Sequence, residues 1–364
     1  MKAIGLMSGT SLDGADVALI ETDGETISAF GPVGYRAYSS AERATLHAAL
    51  AAAVDIVDRN ARPGVVAEAE ALITRAHVEA VEALIARNNL RRDEIGIVGF
   101  HGQTILHRPH AHLTVQIGDG PALARALKLP VVYDLRAADV AAGGEGAPFV
   151  PAYHRALALK SDTAGPVAIL NIGGVANITY IDGETLIACD TGPGNALLDD
   201  FMLRQTGEAV DRDGALAARG TPDRGWIARA LAHPFFALPP PKSLDRNDFA
   251  AFTIADMKPE DGAATLTAFT AESIARIVPL LPRPPRSWIV VGGGANNPTL
   301  LKMLADALAP ARVITGNSLG WSGDAIEAQA FAYLAVRSLK GLPLTYPGTT
   351  GVKTPLSGGV LVRP

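Results

Sequence analysis

Short apolar runs alternate with longer amphipathic segments through the first half of the chain. The apolar runs predict buried strands, which cover residues 3–6, 17–20, 95–100, 113–117 and 131–133. From Val65 to Arg87 the apolar positions recur at helical spacing, which predicts a long helix. Ser39 and Ser40 are N-cap residues for an earlier helix that ends near Pro63. Helices between strands favour a mixed or mainly parallel sheet.

The same alternation starts again near Thr163. Predicted strands cover residues 167–170, 178–181, 188–190 and 287–291. Four helices are also predicted: one that starts near residue 195, one over 267–281, one that starts after residue 297 and one over 324–340. Asn297 as N-cap and Pro298 as first residue mark the third of these helices. Gly9 and Gly173 occupy comparable places in two strand–turn–strand units. This indicates a weak internal duplication, although short glycine hairpins are also common on their own.

These elements predict an α/β fold of two domains, each with a mixed sheet flanked by helices. We expect an N-terminal lobe of residues 1–160 plus 342–364, because the tail after Pro343, rich in Gly, Pro and Thr, is expected to fold back onto the first half. Residues 161–341 then form a C-terminal lobe, and the two halves are expected to face a cleft. The length of 364 residues suits two to three domains of ordinary size.

Composition narrows the function classes. With 32 basic and 37 acidic residues the net charge is -5, so the chain lacks the overall basic character of nucleic-acid-binding proteins, and aromatic residues make up only 5%. The single cysteine, Cys189, excludes an internal disulfide and a Cys-rich zinc site and fits a reducing compartment. Polar Ser8 comes too early for a signal peptide, and the uncharged stretch 163–181 contains Pro166 and paired glycines, unlike a membrane span. We expect a cytoplasmic protein without nucleic-acid or membrane partners.

Three glycine-rich segments offer backbone amides to an anion. In Ser8–Gly14 the hydroxyls and successive amides suit phosphate oxygens, and Asp13 suits a hydrated Mg²⁺, although an ordinary hairpin turn has the same composition. Asn171–Asn177 offers the same chemistry in the second half. Gly292–Gly294 lies between a strand and a helix, where the backbone can approach a base or a ribose closely. The chain lacks the Gly-x-x-x-x-Gly-Lys-Ser/Thr motif of P-loop enzymes.

Two further groups of polar residues have both a catalytic and a plain structural interpretation. Asp190 begins a glycine-rich turn after a strand, where it suits a general base or a helix N-cap. His101, with Gln103 and Thr104 beside it, suits a polar substrate pocket. A histidine cluster suits either a metal site or a polar loop, and it comprises His101, His107, His110 and His112.

Two charged residues are candidates for contact with a substrate. Arg136 suits bidentate binding of a carboxylate or a surface ion pair. Glu327 suits a solvated helix face or a hydrogen bond to a sugar hydroxyl.

Five segments in order along nearly the whole chain carry a family resemblance. They are Gly5–Gly14, His101–Thr104, Asn171–Gly174, Asp190–Asn195 and Gly292–Gly294. With them the chain resembles the anhydro-N-acetylmuramic acid kinases, which belong to the actin/hexokinase/Hsp70-like superfamily. The resemblance implies two actin-like (ribonuclease H-like) domains with a central cleft, and a homodimer.

The resemblance also implies the reaction and its residues. Water opens the 1,6-anhydro ring of anhydro-N-acetylmuramic acid, O6 receives the γ-phosphoryl group of ATP with Mg²⁺, and Asp190 is the general base. The implied ATP-binding residues are Gly9, Thr10, Ser11, Leu12, Asp13, Gly14, Ala15, Asp16, Gly173, Gly174, Asn177, Gly292, Gly293 and Gly294. For the sugar we expect contacts from the polar candidates named from the sequence, namely His101, Gln103, Thr104, Arg136, Asn195 and Glu327.

The chain departs from the family pattern at three places. Met7 stands where many superfamily members have an aspartate, so Asp13 is the candidate for the metal. Glu145 stands where close relatives have glutamine, and Lys242–Arg246 only partly matches a lysine–serine/threonine–glycine–arginine pattern. A kinase for another sugar or small acid and a non-catalytic nucleotide-binding scaffold are the alternatives.

Overall fold

A computed structural model describes residues 1–161, 163, 165–244, 248, 249, 252, 254 and 257–364, with Asp324 described by its backbone alone. The described chain divides into two compact units. The first comprises Met1–Lys160 and Asp324–Pro364, and the second comprises Ser161–Gly323.

The helices and strands follow one another in three stretches. The first stretch contains β1 (Lys2–Ser8), β2 (Gly14–Thr22), β3 (Ile27–Ala37), α1 (Ser40–Ala52), α2 (Val65–Arg87), β4 (Ile95–Arg108), β5 (Leu113–Ile117), α3 (Gly120–Leu127), β6 (Val131–Tyr133), α4 (Ala137–Ala141) and α5 (Pro151–Lys160). The second contains β7 (Val167–Ile172), β8 (Val175–Asp182), β9 (Thr185–Pro193), α6 (Ala196–Thr206), α7 (Arg224–Leu231), α8 (Pro259–Ala275), β10 (Ser287–Val291), α9 (Pro298–Ala307) and β11 (Arg312–Thr315). The chain then returns to the first unit with α10 (Ile326–Leu339), α11 (Pro347–Thr350) and β12 (Val360–Val362).

Each unit contains a mixed sheet, and the five strands of the second sheet follow the same order as five of the seven strands of the first. The first sheet has the order β12-β6-β4-β1-β2-β3, with β5 paired to β4, and the second has the order β11-β10-β7-β8-β9. In the first, β1 pairs in parallel with β4 and antiparallel with β2, and in the second β7 pairs in parallel with β10 and antiparallel with β8. The shared order is what the weak duplication inferred from the sequence predicts.

The last long helix, α10, lies against the first sheet at two glycines. A Cβ placed on Gly5 of β1 would lie 1.8 Å from the Ala328 carbonyl oxygen, and one on Gly99 of β4 would lie 2.0 Å from that of Phe331. Only glycine allows the helix to approach the strands this closely. Residues 324–341 therefore belong with the first unit, whereas the sequence placed the return at residue 342.

The tail after Pro343 folds onto the first unit, as expected. Its β12 pairs antiparallel with β6 at the edge of the sheet. No helix in the described part of the chain is both long enough and apolar enough to cross a membrane.

The predicted bounds of two helices were wrong. Helix α1 ends at Ala52 and passes into a short 3₁₀ turn, far before Pro63, and the chain there buries Ala53 and Ile56 in the core while Val57 is 88% exposed. Helix α8 begins at Pro259 rather than residue 267, since proline fits a first helical turn. It ends at Ala275, shortly before Pro279, which lacks the amide needed to extend the helix.

Candidate functional site

A cavity of about 460 Å³ opens in the first unit beside the end of β1. Candidate site residues make up most of its lining: Gly9, Thr10, Ser11, His101, Gln103, Thr104, Arg136 and Glu327. The structure therefore brings together predicted phosphate-binding and sugar-binding residues that are far apart in sequence.

The floor of the cavity is a buried hydrogen-bonded row. Ser8 at the end of β1 lies beside Gln103 of β4 in the sheet register. Its Oγ donates to Gln103 Oε1 at 2.6 Å and accepts from the Tyr38 hydroxyl at 2.8 Å. Burial raises the pKa of Tyr38 to about 12, so the phenol keeps its proton. This row fixes the start of the turn that follows Ser8.

The predicted phosphate-binding stretch from Gly9 to Asp16 divides in the structure. Gly9 faces open space, since a Cβ there would meet only Ser11 Oγ, at 3.7 Å. Thr10 and Ser11 are exposed in the turn, and Ser11 Oγ donates to Asp13 Oδ1 at 2.7 Å.

The remaining residues of that stretch face elsewhere. Leu12 and Ala15 belong to the hydrophobic core, and Gly14 and Asp16 lie on β2. The side chains of Leu12 and Ala15 therefore have no surface to offer a ligand.

Arg136 is held in the cavity without a carboxylate partner at contact distance in the described chain. Its Nε donates to His101 Nε2 at 3.0 Å, and its Nη1 donates to the Gly146 carbonyl at 2.6 Å. The guanidinium also lies 5.2 Å from the centre of the Phe149 ring. Burial lowers the pKa of Arg136 to about 10, against the opposing charges of Glu327 and Asp139.

Glu327 reaches the same cavity from the first turn of α10. Glu327 is an exposed residue by its solvent-accessible surface. The protein atoms around the carboxylate still displace part of its solvent, which raises its pKa, and the charge of Arg136 opposes that shift. The sequence left a solvated helix face and a cavity position open, and the structure favours the cavity position.

The histidines do not form a metal site. His107 contacts the Glu145 carbonyl at 2.9 Å through Nε2, and His112 contacts the Val140 carbonyl at 3.0 Å through Nδ1. Across the described ranges, no three His, Cys, Asp or Glu side chains are arranged to hold a metal ion. The polar-loop interpretation of this cluster therefore fits the structure.

In the second unit, Asp190 belongs to a polar row across the sheet. Asn171 of β7 pairs with Asn177 of β8, and Asn177 pairs with Asp190 of β9. Residues paired across neighbouring strands project from the same face. The sequence singled out Asp190 and the segment Asn171–Asn177, but it did not predict that these three side chains share one face, because strand register is not visible in a single sequence.

A backbone segment holds Asp190 in place. Its own amide donates to the Lys242 carbonyl at 2.9 Å, and its Oδ2 accepts from the Leu244 amide at 2.7 Å. Burial raises the pKa of this carboxyl, and the Leu244 amide opposes the shift. Within the described residues Oδ1 has no hydrogen-bond partner, so the carboxylate keeps one oxygen for a proton. Of the departing segment Lys242–Arg246, residues 245 and 246 lie outside the described residues.

The predicted glycine loops of the second unit come together at the ends of β7 and β10. The Asn195 amide donates to the Gly173 carbonyl at 2.7 Å, and a Cβ on Gly293 would lie 3.5 Å from Asn195 Nδ2. Gly292 has a φ of +77°, and a Cβ on it would lie 2.4 Å from Asn171 Oδ1. Because Gly173 has only one neighbour near a Cβ, at 3.7 Å, its backbone is open to a ligand.

A family model described as anhydro-N-acetylmuramic acid kinase matches residues 1–364. The chain belongs to the anhydro-N-acetylmuramic acid kinase family. An anhydro-N-acetylmuramic acid kinase of Nitrobacter winogradskyi is 67% identical over 365 residues, and one of Bradyrhizobium diazoefficiens is 66% identical over 365 residues. Both alignments cover 100% of this chain and 100% of the relative.

Among solved structures, the chain is similar to component A of the (R)-2-hydroxyglutaryl-CoA dehydratase of Acidaminococcus fermentans. The TM-score is 0.46 at 12% identity, over 93% of this chain and 99% of that chain.

The segments that resemble anhydro-N-acetylmuramic acid kinases are distributed over both units. Residues 5–14 and 101–104 lie in the first unit, and residues 171–174, 190–195 and 292–294 lie in the second. Within the first segment, Gly5 contacts α10 rather than the cavity. The segments that resemble anhydro-N-acetylmuramic acid kinases therefore include glycines needed for packing as well as glycines that are candidates for ligand binding.

Proposed function

We propose that the chain is an ATP-dependent kinase that opens the 1,6-anhydro ring of 1,6-anhydro-N-acetylmuramic acid and phosphorylates O6, giving N-acetylmuramate 6-phosphate and ADP. The observation that carries the proposal is the family match over residues 1–364, supported by a relative of that name at 67% identity. Such a reaction belongs to the recycling of cell-wall amino sugars. We further propose that the enzyme acts in the cytoplasm and as a homodimer.

In the proposed reaction, Asp190 takes a proton from the attacking water. The water oxygen bonds to the anomeric carbon, the bond from that carbon to O6 breaks, and O6 bonds to the γ-phosphorus as ADP leaves. The proton on Asp190 returns to solvent. A general base works best when its pKa lies near the working pH. The raised pKa of Asp190 supports this role, and so does its Oδ1, which has no hydrogen-bond partner in the part of the chain that the structure describes.

The residues present fit the phosphates of ATP. Gly9 and Gly173 both have open space where a side chain would stand, and the exposed hydroxyls of Thr10 and Ser11 can donate to phosphate oxygens. We assign the second-unit glycines Gly292–Gly294 to the adenosine, as the resemblance implies.

The donor set fits Mg²⁺ held mainly by phosphates and water. Mg²⁺ usually takes one or two protein carboxylates and keeps several waters. Asp13 is exposed beside the Thr10–Ser11 turn and supplies one such carboxylate. When bound, the metal neutralises charge on the transferred phosphoryl group.

The cavity residues fit a sugar that carries a carboxylate. Arg136 has guanidinium hydrogens beyond those used by His101 and Gly146, which suits the lactyl carboxylate. We assign the sugar hydroxyls and the acetamido group to Gln103, Thr104 and Glu327 of the cavity and to Asn195 of the second unit. His101 acts on the sugar through Arg136, because both of its ring nitrogens are already hydrogen-bonded.

The test is turnover with defined substrates. With ATP, Mg²⁺ and the anhydro sugar, we expect ADP release that depends on the sugar, phosphate on O6, and ¹⁸O from labelled water on the anomeric carbon. Turnover of other sugars alone would mean a different sugar kinase. Nucleotide binding without turnover on any sugar would mean a scaffold. Sedimentation at micromolar concentration tests the homodimer.

A further inference from the structure

Asp139 is a buried carboxylate that joins three separate segments of the first unit. It stands on α4 and is 2% exposed. Its Oδ1 accepts from Thr350 Oγ1 at 2.7 Å, and its Oδ2 accepts from the Gly146 amide at 2.7 Å. A buried carboxylate with these bonds holds its partners firmly, because losing one would leave charge unpaired in a poorly solvated place.

Thr350 also bonds through its backbone to the loop 143–148, which contains Gly146. Its carbonyl accepts from the Glu145 amide at 2.7 Å, and the residue is fully buried. The loop 143–148 is therefore fastened on one side to α4 and on the other to the tail segment that ends α11. We call Asp139 and Thr350 together the tail clamp.

The clamped loop in turn holds Arg136. The Gly146 carbonyl accepts from Arg136 Nη1, while the Gly146 amide donates to Asp139. Gly146 is therefore fixed by Asp139 through its amide, and it orients the Arg136 guanidinium through its carbonyl. Among the described residues, the one other polar contact of the Arg136 guanidinium is with His101, whose Nε2 accepts from Arg136 Nε.

We infer that Asp139 and Thr350 are positioning residues for sugar binding, and that the C-terminal tail sets the affinity for the sugar by fixing Gly146 and so Arg136. The inference rests on the proposed function, since it takes Arg136 as the group that binds the sugar's anion. Neither clamp residue lines the cavity, so the clamp acts through the loop it holds, and the loop contacts the guanidinium of Arg136 through Gly146. We expect the clamp to change binding of the sugar more than binding of the nucleotide.

The experiment compares Thr350→Val with two matched changes in the same tail. Thr350→Ser keeps the hydroxyl. Thr349→Val removes a buried hydroxyl that bonds only the backbone of Tyr346 among the described residues. We expect Thr350→Val to lower kcat/KM for the sugar by roughly tenfold, as loss of a hydrogen bond to a charged group would, with KM for ATP unchanged. Thr350→Ser and Thr349→Val are expected to stay near wild type.

A cycle with Arg136 separates positioning from plain stability. In an Arg136→Ala background, Thr350→Val is expected to cause no further loss of kcat/KM for the sugar. An undiminished loss in that background, or an equal loss in Thr349→Val, would overturn the inference. Asp139→Asn, which replaces the acceptor facing the Gly146 amide, is the second variant should Thr350→Val fail to fold. Absence of sugar turnover in the wild-type chain would instead refute the proposed function.

Discussion

The Nε atom of Arg136 donates a hydrogen bond to Nε2 of His101 at 3.0 Å. His101 Nδ1 contacts the Gly102 carbonyl at 2.8 Å and must donate to it, so the imidazole is neutral and its other nitrogen accepts. Burial and the Arg136 charge lower the pKa of His101 well below its usual value. His101 is therefore an orienting group for Arg136 and has no free lone pair to serve as a base.

This bond makes arginine specifically necessary at position 136. In Arg136→Lys a single ammonium cannot contact His101, the Gly146 carbonyl and a carboxylate in the fixed directions of a guanidinium. We expect KM for the anhydro sugar to rise roughly tenfold or more, at an unchanged KM for ATP. Steady-state kinetics with each substrate varied measures both constants.

The matched control is Arg92→Lys, because Arg92 pairs with Glu82 on the surface of the same unit. It is expected to match wild type. A sugar KM in Arg136→Lys equal to that of the control would show that Arg136 does not bind the sugar.

Asp190→Asn is expected to remove turnover and keep binding. Asparagine has nearly the same shape and can still accept from the Leu244 amide, but it cannot take a proton. We expect kcat to fall by about 10²–10⁴-fold while calorimetric binding of nucleotide and sugar changes little. Asp182→Asn is the control, since Asp182 ends β8 and pairs with Arg283 at the surface. Wild-type kcat in Asp190→Asn would exclude Asp190 as the base.

The acid limb of the profile of kcat/KM against pH reports the ionisation of the Asp190 carboxyl. Asp190 works only when deprotonated, so kcat/KM falls as the pH decreases through its pKa. Because burial raises that pKa, the limb is expected above the ordinary range of an aspartate, which is about 3.9. A profile that stays flat down to that value would contradict the burial of the base.

Gly99 is expected to tolerate no side chain. A Cβ there would overlap the Phe331 carbonyl oxygen, and backbone cannot move aside as a flexible side chain can. We expect Gly99→Ala to lower the free energy of unfolding by about 3 kcal/mol or to prevent folding. Gly96→Ala on the same strand is the control, since its Cβ would first meet the terminal methyl of Met1, at 3.1 Å. Equal urea midpoints for the two variants would contradict the close approach of α10.

His77 is expected to make the chain acid-sensitive. It is fully buried against Phe100, and burial lowers its pKa to about 4. Below pH 6.5 the unfolded chain takes up a proton there and the folded chain does not, so the free energy of unfolding falls as the pH decreases from 6.5 towards 4. The contribution is up to about 3 kcal/mol.

Urea unfolding between pH 4.5 and 7 measures this slope. His77→Gln is expected to make it shallower, while buried His101, whose pKa is also lowered, keeps part of it. His47→Gln, at an exposed position on α1, is expected to leave it unchanged. An identical slope in wild type and His77→Gln would mean that other groups cause the acid sensitivity.

Local patterns predicted those elements whose signals are local. Helix α2, strands β5, β6 and β10 and the Asn297 cap of α9 stand at the predicted bounds, because periodicity, apolar runs and cap chemistry act over a few residues. The edge strand β3 was missed, since its residues are mostly half-buried or exposed and its apolar run is interrupted by Gly31 and Pro32.

For the candidate site, too, only the features with a local sequence signal were predictable. Glycine turns and polar residues after strands marked Gly9, Gly173 and Asp190 from sequence. The bond between Arg136 and His101, the clamp through Asp139 and the pairing of Asn171 with Asn177 depend on register and on contacts distant in sequence. Those relationships are set by the packed fold, and a single chain carries no local signal for them.

The return of α10 to Gly5 and Gly99 also bears on biosynthesis. The ribosome makes β1 and β4 long before residues 326–339, so the sheet of the first unit stays uncovered on that side while all of residues 161–323 are translated. The second unit is continuous in sequence and can complete its core first. In a nascent chain truncated before Ile326, the second unit would thus be complete, whereas the sheet of the first unit would still be exposed to chaperones.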